Sequence, residues 1–115
     1  MSFEKMMEQL RTEYVEDLPK KIKDIETSLA SSQIQEMRED FHKLKGTGRT
    51  YGVPEITDLA EVMERICLQF PQEIVRTVPD ALILLREIHD LRKTDQALDI
   101  KKDHRFAKLK KIVSQ

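Results

Sequence analysis

The chain has no tryptophan and only one cysteine; its 115 residues include three glycines and four prolines, and aromatic residues make up 5%. A lone cysteine, Cys67, cannot close an internal disulfide or build a Cys-based metal cluster, so a disulfide scaffold is excluded and a reducing compartment is expected. So few glycines leave little material for the tight turns of β-hairpins. No apolar run approaches the roughly 20 residues that cross a bilayer. The opening MSFEKMMEQL lacks the apolar centre of a signal peptide, so a cytoplasmic protein without a membrane anchor is expected. The net charge of −1 gives no global field to attract nucleic acid.

What remains is charge and helical rhythm. Charged residues reach 36% against 39% apolar, so each helix can spare one stripe for a shared core. Phe3, Met7, Leu10, Tyr14, Leu18, Ile22, Ile25 and Leu29 recur every three or four residues, broken only by Pro19, where a kink or a tight join of two helices is expected. Ser28 to Gln33 reads as a connection, with Ser31 or Ser32 able to cap the next helix. That helix runs from Ile34 to Gly52. Pro54 opens another, with Ile56, Leu59, Ala60, Met63, Ile66, Cys67 and Phe70 as its stripe, and the short join forces the pair into an antiparallel hairpin. Pro71 closes it. A last long helix is expected to start near Thr77 with Pro79 in its first turn, an earlier start with a kink being the alternative, and to carry Val78, Ala81, Leu82, Leu85 and Ile88. The fold class is therefore all-α, an up-down four-helix bundle with an additional N-terminal helix segment. Its division is into a bundle over residues 1–98 and a short basic C-terminal extension over 99–115, probed by charge: the first part carries −5 and the second +4. Phe106, Leu109, Ile112 and Val113 would stripe a terminal helix, and its lysines read as a solvated face rather than a nucleic-acid site.

Within Ile34 to Gly52 two faces separate. Ile34, Met37, Phe41, Leu44, Gly48 and Tyr51 make the apolar one; Arg38, His42, Lys45 and Arg49 make a second column at the same spacing. A histidine among cations is suited to phosphoryl acceptance: an imidazole of ordinary pKa is mostly unprotonated near pH 7, the cations favour that form, and they attract a dianionic phosphoryl group. Gly46 leaves the surface bare one turn on, so a partner can approach. His89 and His104 read as a boundary and a surface residue, and no ligand spacing suggests a metal site.

Phe41-His42-Lys43-Leu44-Lys45-Gly46, with Gly52 six residues after Gly46, resembles the H-x-L-K-G-x5-G signature of histidine-containing phosphotransfer (HPt) domains, and the flanks LPKKIKDIETSL and ITDLAEVMERI are similar to their helices. The resemblance covers about residues 5 to 92. It implies a four-helix bundle in which His42 exchanges a phosphoryl group with an aspartate of response-regulator receiver domains. Lys45 would position the phosphate, Gly46 would give access, and Arg38, Lys43 and Arg49 would supply docking charge. It further implies a phosphocarrier rather than an enzyme, with no ATP-binding kinase domain and no cofactor of its own, Mg²⁺ being held by the receiver. The implied partners are receivers and a hybrid sensor histidine kinase, and a monomer is expected. An adaptor that docks receivers without transfer is the alternative. The dimerising histidine segment of a sensor kinase fits less well, because Lys43 stands where such segments resemble a pattern with an acid.

Overall fold

The computed structural model describes residues 2–115, which form helices and no strands. Four long helices build the bundle: α1 Phe3–Ala30, α2 Ile34–Gly48, α3 Pro54–Gln69 and α4 Ile74–Arg92; a fifth, α5 His104–Val113, follows. Ser2 starts α1 by accepting from the Lys5 backbone N–H at 3.2 Å. The helix then passes through Pro19 as a single element. A proline in a helix interior costs ~3 kcal/mol in isolation, but Leu18 and Ile22 on either side of it are buried in the core and hold the chain in line. The additional N-terminal segment is the part of this helix that precedes its first buried residue, Tyr14.

Three local expectations are corrected. Ser31 and Ser32 terminate α1 rather than cap α2: the Ser31 hydroxyl donates to the Thr27 carbonyl, Ser32 takes a φ of 55°, and the cap position of α2 is Gln33, without a side-chain bond. The second correction is at the end of α2, which stops at Gly48 and not Gly52. The Val53 N–H returns to the Gly48 carbonyl at 2.8 Å, and Gly52 sits in the left-handed region at φ +83°, where a residue without Cβ is unstrained. Last, α4 takes the earlier of its two expected starts: it begins at Ile74, three residues before Thr77, and Pro79 lies inside it. Buried Ile74, Thr77 and Val78 anchor that early turn while Pro79 faces solvent.

The α2–α3 hairpin is fastened at Gly48. A Cβ there would lie 2.8 Å from both the backbone N and the Oγ1 of Thr57. That hydroxyl donates to the Lys45 carbonyl at 2.9 Å and accepts from the Arg49 N–H at 2.7 Å, so α3 caps the end of α2 with a side chain. Gly48→Ala is accordingly expected to lower stability by about 1–2 kcal/mol, because displacing Thr57 outweighs the gain of about 1 kcal/mol in helix propensity. Chemical denaturation of the two chains measures it.

Glu55 and Arg92, both largely buried, join α3 to α4 through two hydrogen bonds of 2.8 Å. Glu26 and Arg86 pair α1 with α4. The C-terminal extension is part of the same body: Ile100, Phe106, Leu109 and Ile112 are buried in the common core, and α5 lies on α3. Asp103 caps α5 by accepting from the Arg105 N–H at 2.8 Å. Arg105 also reaches Glu87 on α4 at 2.5 Å. Among the described residues no helix is long and apolar enough to cross a membrane.

Candidate functional site

Met37, Phe41 and Leu44 are buried and fix how α2 rotates about its axis. With that face inward, position 42 is turned out, and the His42 side chain is 61% exposed. It does not stand alone. Its Nδ1 lies 2.6 Å from Oε2 of Glu64 on α3, and the other oxygen of the same carboxylate accepts from Lys45 Nζ at 2.7 Å.

An ionised carboxylate can only accept, so the contact requires a proton on Nδ1 of His42. In the neutral ring, Nε2 is then the atom with the free lone pair. Glu64 is a carboxylate over the working range for a definable reason. Burial would push its carboxyl up, but the hydrogen bonds from Lys45 and His42, with their charges, hold it below the ordinary value.

The four-residue column of Arg38, His42, Lys45 and Arg49 is thus not a bare cluster of cations around an imidazole. Lys45 is tied to Glu64, and Arg49 leans to Asp58 at 3.3 Å with its side chain 67% exposed, a pairing of small energetic value. Arg38 is half-buried one turn before His42 and makes no ion pair among the described residues. Lys43 is exposed and turned the other way, lining the groove between α1 and α2 with Asp17, Asp24 and Asp40. The charged group nearest the ring is an anion.

Glu64 is the residue that sequence reasoning missed. Its signal was an acid on the edge of an otherwise apolar stripe, between Ala60 and Cys67. Carrying the Gly48–Thr57 crossing back along α2 and forward along α3 brings it level with His42. Cys67, one turn further, is an unreactive core thiol, pushed up to about 11 chiefly by burial.

Gly46 is exposed, and a Cβ built on it meets nothing within 4 Å. The surface one turn beyond His42 is therefore open for reasons unconnected with packing. Gly46→Ala is expected to raise stability by up to about 1 kcal/mol through helix propensity, visible as a higher melting temperature. Beyond it, Thr47 shares a 2.9 Å hydrogen bond with the Tyr14 hydroxyl, and the Tyr14 ring stacks on Tyr51 at 5.3 Å, tying the end of α2 to α1.

The site thus combines an exposed imidazole, a cation beside it and bare surface next to it. The family model for the Hpt domain matches residues 9–94. The chain belongs to the Hpt domain family. Comparison with curated proteins and with solved structures gives no match. Hpt domains are phosphocarrier modules of two-component signalling and work with receiver domains and kinases. The family match takes in α2, α3 and α4, the helices that place His42 and Glu64, and stops before α5.

Proposed function

We propose that His42 is the phosphoryl acceptor of this Hpt domain and that it exchanges the group with an aspartate of receiver domains. The observation that carries the reading is the Nδ1 contact to Glu64, which leaves Nε2 as the solvent-facing nucleophile beside the open surface at Gly46. In the forward step the Nε2 lone pair attacks phosphorus of the aspartyl phosphate. The N–P bond forms, the P–O bond to the aspartate breaks, and the electron pair leaves with the carboxylate. The ring keeps its Nδ1 proton and becomes positive, and the Glu64 carboxylate faces that new charge. The reverse step returns the group with no change in proton count, which suits a carrier.

Lys45 is the phosphate-positioning group. Its side chain is about a third exposed, so the ammonium can exchange the Glu64 oxygen for a phosphoryl oxygen with little desolvation to overcome. Both Glu64 oxygens are already occupied by His42 and Lys45, which supports a reading in which the Mg²⁺ of the transfer is held by the receiver's carboxylates. The partners proposed are receiver domains and a hybrid sensor kinase that feeds them.

The test is to incubate the chain with a receiver domain phosphorylated on its aspartate by acetyl phosphate. The reading expects phosphate on the chain that is acid-labile and base-stable, with the label located at position 42 by mass spectrometry. Docking without any label on the chain would overturn transfer in favour of an adaptor.

A further inference from the structure

The lysines of the C-terminal extension are absorbed neither by the fold nor by the transfer step. Phe106, Leu109 and Ile112 face inward, while Lys101, Lys102, Lys108, Lys110 and Lys111 are exposed. Of these, Lys102 alone has a carboxylate partner among the described residues, Asp99 at 3.8 Å. Lys110 lies over the Phe106 ring at 5.8 Å. The helix is placed on the bundle by its buried face and by the bond from Arg105 to Glu87 on α4. A fixed helix that presents unpaired cations is a different object from a solvated tail.

Its place in the bundle matters. Arg92 pairs with Glu55, so the end of α4 stands beside the start of α3, and Arg105 reaches Glu87 in the last turns of α4. α5 therefore begins near the first turns of α3. Because its inner face is buried on the bundle, it runs back along α3, and its ten residues rise about 15 Å, which brings Lys108 to Lys111 toward the level of Glu64. On α3, Glu61, Arg65 and Leu68 form an exposed stripe. Glu64 lies on the α2 edge of that stripe, and by helical angle buried Val62 and Ile66 lie on the opposite edge with Glu55, which Arg92 joins to α4, so α4 and α5 share that side of α3. His42 and the lysines of α5 thus flank one strip of α3.

From this placement we infer that the lysine face of α5 is a second contact area for the receiver domain that docks on His42, meeting carboxylates on the rim of its phospho-acceptor pocket. The inference rests on the proposed reading of His42. A standard interface of about 800 Å² per partner is roughly 30 Å across, enough to span α2, the α3 strip and α5. The partner is acidic where it approaches, since its acceptor group is a carboxylate and the Mg²⁺ beside it needs further carboxylates. Cations at the margin of such a contact speed encounter more than they change chemistry.

The measurement is the rate of phosphoryl transfer from an acetyl-phosphate-charged receiver to the wild-type chain, to Lys108→Glu/Lys111→Glu, and to Lys5→Glu/Lys23→Glu, which removes equally exposed lysines from α1. At low ionic strength the α5 variant is expected to lose about tenfold in second-order rate constant, with the rate at saturating receiver unchanged, and the gap should close to about twofold at high salt. The α1 variant should stay within about twofold of wild type. Equal losses in both variants, or a loss confined to the saturated rate, would overturn the proposal. So would binding of the wild-type chain, through these lysines, to a DNA duplex or to phosphatidylserine vesicles with receiver rates unmoved. Circular dichroism checks that α5 is intact, and Lys108→Gln/Lys111→Gln, expected to lose about threefold, stands in if the double glutamate is not folded. A wild-type chain that takes no label from any receiver is a separate outcome: it removes the His42 reading itself.

Discussion

Replacing His42 by glutamine is expected to lower phosphoryl acceptance from a charged receiver by at least about 10³-fold while leaving the fold unchanged. The amide nitrogen of glutamine has no lone pair available for attack on phosphorus, so the chemistry is removed at its first bond. The architecture is not. His42 is 61% exposed and contributes to no core contact, so a surface substitution there falls within about 0.5 kcal/mol. Glutamine also preserves what an alanine would discard, since its N–H can donate to Glu64 and leave the Lys45 bond in place. Transfer assays and a melting curve on the same preparation separate the two effects. Undiminished labelling would move the acceptor to another histidine. His89 is a poor choice, its side chain only 18% exposed and held at 3.2 Å to Asp90, whereas His104 is exposed at the start of α5.

The same residues show how far a linear pattern reaches. The apolar face of α2 was legible because Met37, Phe41 and Leu44 obey the helical period, and that period alone determines which way His42 points. The α2–α3 hairpin was legible from the short join before Pro54. The ends of elements were not, for physical reasons that differ. At Gly48 a helix is stopped by a hydroxyl from a neighbouring helix, a tertiary contact that no window over α2 contains. At Pro79 a helix continues because buried Ile74 and Val78 outweigh the proline. Electrostatics was the least legible layer. A column of cations is a property of one helix, whereas the partners that neutralise Lys45 and Arg49 sit on α3, about 10 to 20 residues away along the chain, where only the register of the hairpin brings them close. The docking of α5 was likewise invisible, because an amphipathic stripe does not say which helix will cover it.

Glu64→Ala carries the sharpest test of how the site works. The expected result is a fall of about 10²-fold in the transfer rate at saturating receiver, with little change in the receiver concentration needed to reach it. Two things are lost together. Without the carboxylate nothing holds the proton on Nδ1, so a share of the rings carries it on Nε2 and cannot attack. Those that can attack develop their positive charge with no anion beside it. Docking is spared, because Glu64 is buried beneath the imidazole and does not face the partner. The fold is spared as well: His42 and Lys45 are exposed enough to turn to water, so no buried donor is orphaned and the stability change should stay within about 1 kcal/mol. The effect has a defined pH signature. The folded-state pKa of Glu64 is depressed, so its contribution is fully present above the ordinary carboxyl value of about 4.3 and is lost only as pH falls through the lower folded value. The ratio of wild-type to Glu64→Ala saturated rates should therefore show no titration assignable to this carboxyl between about pH 5 and 8. If that rate were unchanged by the substitution, the carboxylate would be a structural tie between α2 and α3 and the tautomer of His42 would have to be set by solvent alone.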